Sequence, residues 1–236
     1  MLFIIKDLFF LLKTGYVLKN NNKKFLFFVK SFFLLFTFKI FSIILVILFF
    51  KIVPFEMPRN NAIREATNSS PLLTLIELAI IAPIIEEISF RLNLLFSKIN
   101  FALSTCFLSF IAITLIYNIG VFEISNESLY RAIFSVSLGI IIYINLIYFV
   151  ENRLMLFWKK NKLFIFYTSL SLFSIPHVLN FELNEVPFWF IPIIVLPMVS
   201  SGIVYSYLRL KQGILSSLLL HSLVNLLPYL IFQLNN

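Results

Sequence analysis

The sequence predicts an all-α polytopic membrane bundle of about seven transmembrane helices, preceded by an interfacial N-terminal helix. Hydrophobic residues make up 60% of the 236 and charged residues only 13%, with a mean hydropathy of +0.97. A soluble domain needs more polar surface than this to cover its core. Seven apolar stretches also reach the roughly 20 residues that a helix needs to cross a bilayer. The polar segments between them are short, so no separate soluble domain fits. The same composition sets aside soluble enzymes and nucleic-acid binders, despite a net charge of +8.

The elements follow in order. Met1–Leu12 is an apolar run that Lys13 interrupts, and no small-residue cleavage site follows. It therefore reads as an amphipathic stretch lying in the interface, not as a signal peptide. With Lys19, Lys23, Lys24 and Lys30 it forms a basic segment over residues 1–30, suited to an anionic leaflet. Residues 31–236 form the bundle, with spans at 31–53, 71–97, 101–120, 129–150, 162–181, 187–209 and 213–234. An eighth is added if the N-terminal stretch re-enters the bilayer. The single cysteine, Cys106, sits in an apolar span, excludes an intrachain disulfide and reads as packing.

Charge orients the chain. With the N-terminus in the cytoplasm, one side collects the six lysines up to Lys30, then Lys98, Arg153, Lys159, Lys160, Lys162, Arg209 and Lys211. The other side holds only Lys51, Arg59, Arg64 and Arg131, together with Glu123, Glu127, Glu182 and Glu185. Thirteen basic residues against four satisfy the positive-inside bias for seven spans, with the C-terminus outside.

Three constellations interrupt the apolar spans. Glu86, Glu87 and Arg91 lie near the middle of 71–97, where each charge costs roughly 2.5–3.5 kcal/mol on insertion scales. Glu87 and Arg91 are four residues apart and can pair on one face. Glu86 points about 100° away, free for another task. Upstream, Pro83 removes a backbone hydrogen bond and is expected to free the carbonyl of Ala79. Phe173 and His177 share a face in the fifth span, with Pro176 expected to free the carbonyl of Leu172. His221 and Asn225 share a face in the last span, ahead of Pro228. Each has a plain alternative reading: a structural ion pair for Glu87 and Arg91, and interhelical hydrogen bonding for His177, His221 and Asn225. Taken together, the chain's two histidines and a diacid are cheapest in lipid if they converge on one site.

In that order, E-E-x-x-x-R, F-x-x-x-H and H-x-x-x-N resemble the CAAX-protease and bacteriocin-processing (Abi) family of intramembrane endopeptidases. The run from Gly202 to Asn225, with Gly213 ahead of His221, is similar to that family's last motif. The resemblance covers about residues 71–230 and departs at Leu92, where the family has glycine, which bears on packing at that turn. It implies a protease acting on a membrane-associated peptide or protein, in a bacterial cytoplasmic membrane. Glu86 would be the general base, helped by His221. Asn225 and His177 would serve the oxyanion or leaving group, and Glu87 with Arg91 would hold the diacid helix in register. In a zinc version, Glu86, His177 and His221 are the candidate ligands, with Glu87 as base; the metal-free version is preferred. Two other classes fit parts of the pattern. One is a non-catalytic immunity protein, and the other an ion- or proton-coupled transporter.

Overall fold

Apolar side chains with few turn signals leave the backbone to satisfy itself, and in lipid the helix is the way one segment can do so. The structure is a computed structural model and describes residues 2–18, 24–60, 71–117, 125–183 and 186–234. Among the described residues it is all-helical, with an isolated antiparallel bridge between Asn60 and Phe181. We number the helices α1 (Leu2–Thr14), α2 (Lys24–Ile52), α3 (Pro71 to Leu94), α4 (Lys98–Tyr117), α5 (Asn126–Lys160), α6 (Lys162–Asn180), α7 (Phe188–Ile194), α8 (Leu196–Gln212) and α9 (Ile214–Leu234). Five of them, α2, α4, α5, α6 and α9, are long and apolar enough to cross a membrane, and the pair α7 and α8, bent by 48°, makes a sixth if it is one span.

The stretch expected as the second span is α3. It is helical throughout but is built from alternating turns: Pro71–Ile76, a π segment Glu77–Ile81, Ala82–Glu86, a second π segment Glu87–Arg91, and a 3-10 turn Leu92–Leu94. Its charges keep it apart from the apolar helices, and its two π segments change which side chains share a face. Helix ends differ from expectation elsewhere too. α2 starts at Lys24 instead of 31, and α5 continues to Lys160, carrying Arg153 and Lys159 that were expected in a loop.

The bundle is organised around α8, whose Ser200 to Arg209 are almost all buried. Small residues let neighbours approach it. A Cβ on Gly202 would sit 2.7 Å from Leu170 and 2.9 Å from Phe173 on α6. On the other side, the hydroxyls of Ser200 and Ser42 of α2 touch. Farther out, α4 and α5 form a hairpin closed where Gly139 meets Cys106 and Ala102. Near the end of that hairpin, Arg131 is buried, donates to Thr114 at 2.7 Å and lies 4.2 Å over the Phe110 ring.

The N-terminal helix does more than lie in an interface. Ile4, Leu8 and Leu11 of α1 join the core formed by α2, α6, α8 and α9. Asp7 is fully buried: it accepts from Tyr207 at 2.8 Å and from the Leu18 amide at 2.6 Å, and pairs with Lys211 at 2.5 Å. Gly15, with φ of 74°, then turns the chain against the backbone of Lys162 and Leu163, too close for any side chain.

These contacts also sort the helix ends. Tyr16 donates to the Lys159 carbonyl, Gln212 to the Lys24 carbonyl, and Lys98 pairs with Glu151 at 2.9 Å. So Lys24, Lys98, Lys159, Lys162 and Lys211 share one end of the bundle. At the other end the Glu182 amide donates to the carbonyl of Arg59. This is the pairing of ends that the charge count requires. Lys19, Lys23, Arg64, Glu123 and Glu185 of that count lie outside the described residues.

Candidate functional site

The three polar constellations converge. Glu87 and Arg91 pair across the second π segment at 3.1 Å, both only 1% exposed. Among the described residues none of the Arg91 N–H groups makes a hydrogen bond of regular geometry; instead the guanidinium lies 3.7 Å over the Phe173 ring and 5.3 Å from the Tyr205 ring. Aromatic faces attract a cation, and more so where water is excluded.

Glu87 is held from a second helix as well. His221 places Nδ1 3.0 Å from Glu87 Oε1, and Ser217, one turn earlier on α9, donates to Glu87 Oε2 at 2.5 Å. With Nδ1–H given to a carboxylate, the neutral His221 ring keeps its lone pair on Nε2. That Nε2 lies 3.5 Å from Glu86 Oε2. His221 is also stacked on Tyr205, with centroids 4.4 Å apart and planes 22° apart.

His177 arrives from α6 in the same sense. Pro176 forces the helix into a 3-10 turn over Ile175–Asn180. The Phe173 carbonyl there faces His177 Nδ1 at 2.7 Å. The expected donor-free carbonyl was that of Leu172, and it is the next one along that the imidazole serves. His177 Nε2 is thereby turned toward Glu86 Oε2, at 3.9 Å. Phe173 packs edge-on to both imidazoles, at 4.8 Å and 5.9 Å between centroids.

Two imidazole Nε2 atoms thus face one carboxylate oxygen that is buried and makes no hydrogen bond among the described residues. Separations of 3.5 and 3.9 Å are longer than regular hydrogen bonds. The cluster is graded in exposure. Glu86 and His177 are about one-fifth exposed, at 21% and 20%, whereas His221, Glu87 and Arg91 are at 3% or less. Glu86 and His177 therefore form the open edge, and the Glu87 network forms its back wall.

Asn225 has a different first partner from the one expected. In the first π segment the Ala82 amide donates to Glu77, five residues back. In that register the Leu78 carbonyl would be served by residue 83, which is proline and has no N–H. Asn225 Nδ2 fills the gap, donating to Leu78 at 3.2 Å. The carbonyl that Pro83 exposes is thus that of Leu78, not Ala79, because the π turn shifts the pattern by one. Among the described residues this is the hydrogen bond that the Asn225 amide makes.

Ser217 and Tyr205 were not singled out from sequence. Ser217 had a signal, since S-x-x-x-H-x-x-x-N puts it on one α9 face with His221 and Asn225. Tyr205 had none beyond belonging to an apolar run. At Leu92 the backbone has an ordinary φ of −58°, so a side chain there meets no strain. Its carbonyl accepts from Arg209 at 3.2 Å. Gly213, by contrast, has φ of 97°, which closes α8 and starts α9.

As they stand, no group of three or more His, Cys, Asp or Glu side chains among the described residues is spaced to hold a metal ion. Comparison of the chain with protein-family models, with curated proteins and with solved structures finds no match.

Proposed function

We propose that the chain is an intramembrane endopeptidase of the CAAX-protease type, hydrolysing a peptide bond of a membrane-associated peptide or protein. The observation that carries this reading is the geometry around Glu86 Oε2: a buried carboxylate oxygen without a hydrogen bond, faced at 3.5 and 3.9 Å by the Nε2 atoms of His221 and His177. The resemblance of the three motifs points the same way.

Glu86 takes a proton from a water molecule while His221 Nε2 holds that water in place. The water oxygen attacks the scissile carbonyl, and its oxygen becomes an oxyanion. The Asn225 amide and a protonated His177 are the available donors for it. Collapse of the tetrahedral intermediate breaks the C–N bond, and the proton held by Glu86 passes to the leaving amine. Glu87, Ser217 and Arg91 act through His221, holding its Nδ1 so that Nε2 faces the reaction. Counting α3 and the α7–α8 pair as spans gives seven. Their basic ends face the cytoplasm, and the C-terminus lies outside.

Zinc on Glu86, His177 and His221 is the second reading. Two imidazoles and a carboxylate are the right donors, but their present spacing does not close a site, so no step is derived through it. Purified protein incubated with a peptide library, with and without a strong chelator, separates the readings. The glutamate-base reading predicts cleavage that survives the chelator and is lost in His221→Ala and His177→Ala. Cleavage abolished by the chelator and restored by zinc would overturn it in favour of the metal. A folded protein that cleaves nothing would leave the immunity-type and transporter readings.

A further inference from the structure

The basic end of the bundle carries an excess of charge, and at one spot that excess is gathered and held. Gly15, at the end of α1, packs against the backbone of Lys162 and Leu163. Tyr16 donates to the Lys159 carbonyl at 2.8 Å, and Tyr167 of α6 donates to the Leu12 carbonyl at 2.8 Å. These contacts fasten the end of α1 to the turn where Asn161 separates α5 from α6. Lys13, Lys159, Lys160 and Lys162 therefore rise from backbone that is fixed in one place.

No acid is available to them. Of the eleven acidic residues in the chain, Asp7 and Glu151 are the two near this end, and each already has a lysine. Asp7 pairs with Lys211 and Glu151 with Lys98. Among the described residues the four lysines of the junction make no ion pair. Helix ends do not make up the difference. The carboxy-terminal ends of α1 and α5 supply about half a negative charge each, and the amino-terminal end of α6 adds about half a positive one. Most of the four charges stay uncompensated.

Beside the lysines the surface is apolar. Phe157, two residues before Lys159, and Phe164, two after Lys162, are both exposed and meet edge to face, with ring centroids 6.3 Å apart. Phe10, three residues before Lys13, is exposed as well. A soluble anion would satisfy the lysines and leave these rings bare, whereas a zwitterionic lipid would cover the rings and bring no net charge. An anionic lipid does both, with its phosphate among the ammonium groups and its acyl chains along the rings. We propose that the junction of α1 with the α5–α6 turn is a binding site for the headgroup of an anionic phospholipid. This site is independent of the Glu86 cluster and of its hydrolytic reading.

The test titrates the purified protein in neutral detergent with phosphatidylglycerol and counts retained lipid by native mass spectrometry. Phosphatidylglycerol should bind at least about tenfold more tightly than phosphatidylcholine of the same chain length. Lys13, Lys159 and Lys160 are exposed, so Lys13→Gln, Lys159→Gln and Lys160→Gln together remove charge without opening the core. That set should weaken phosphatidylglycerol binding by about a hundredfold. A control set of equal charge at exposed positions elsewhere on the same end, Lys6→Gln, Lys24→Gln and Arg153→Gln, should leave the binding nearly unchanged. Lys160→Gln alone is the smaller variant in case the triple set unfolds, with an expected loss of about fivefold. Glycerol 3-phosphate, which has the phosphate and no chains, should fail to displace the lipid at equal concentration. Equal binding of the two lipids would overturn the proposal, as would the absence of any loss in the site variants. Equal losses in the two triple sets would show attraction by diffuse charge and no site. Displacement by glycerol 3-phosphate would make the ligand a soluble phosphate and overturn it too.

Discussion

Glu86 and Glu87 are neighbours in sequence with opposite surroundings, and the difference assigns their work. Glu87 has a guanidinium, an imidazole and a hydroxyl on its two oxygens, whereas Glu86 Oε2 has none of these within hydrogen-bond distance. Glu86→Gln should therefore lower turnover by roughly a hundred- to ten-thousand-fold while leaving the thermal unfolding midpoint in detergent unchanged. Glu87→Ala should behave in the opposite order. It strands Arg91, only 1% exposed, and should cost about 3–5 kcal/mol of stability, visible as a lowered midpoint before any assay of activity. Ser217→Ala should lower turnover about ten- to a hundred-fold through the orientation of His221, with Ser217→Thr recovering most of it and the midpoint barely moving. The charged members of this site were legible because an acid or imidazole in a span is too costly to be idle. Ser217 was not, because a serine in a helix commonly satisfies itself on its own backbone, as Ser31 does on Phe27 and Ser201 on Pro197.

Among the elements, α3 and α8 determine whether the site exists. Periodicity read α3 as a plain span and placed the orphan carbonyl at Ala79; the π turns move it to Leu78, where Asn225 meets it. Nothing in the local sequence marks a π turn, since it is stabilised by a side chain 147 residues away. Asn225→Leu should free α9 from that turn and leave a half-buried carbonyl unpaired, costing about 1 kcal/mol in addition to any catalytic loss. Asn225→Asp, which cannot donate when ionised, should do the same. α8 depends on closeness: a Cβ at Gly202 meets Leu170 and Phe173 within 3 Å. Because Phe173 carries Arg91 and touches both imidazoles, Gly202→Val should disturb the site as well as the packing. The expected cost is about 1–3 kcal/mol, read as a lower unfolding midpoint, together with reduced turnover. An unchanged midpoint would show that α6 can shift without cost.

For the molecule as a whole, composition made an all-helical bundle legible, and five of its helices are long and apolar enough to cross a membrane. The docking of α1 was not legible. Its amphipathic pattern suits a lipid surface as well as a protein one, and only Asp7 in an otherwise apolar and basic stretch hinted at a partner, found 200 residues on at Tyr207. Asp7→Ala should detach α1 and leave Lys211 without its carboxylate, destabilising by about 3–5 kcal/mol, with partial recovery in the Asp7→Ala, Lys211→Met double variant. In the proposed peptidase this assembly delivers one water to Glu86 between two histidines. Mass spectrometry of peptides cleaved in ¹⁸O-labelled water by the wild-type protein and by Glu86→Gln tests this. One ¹⁸O is expected in each newly formed carboxyl terminus from the wild type, and intact peptide from a Glu86→Gln protein with the same helical content and unfolding midpoint. Equal cleavage by Glu86→Gln, or products without the label, would contradict it.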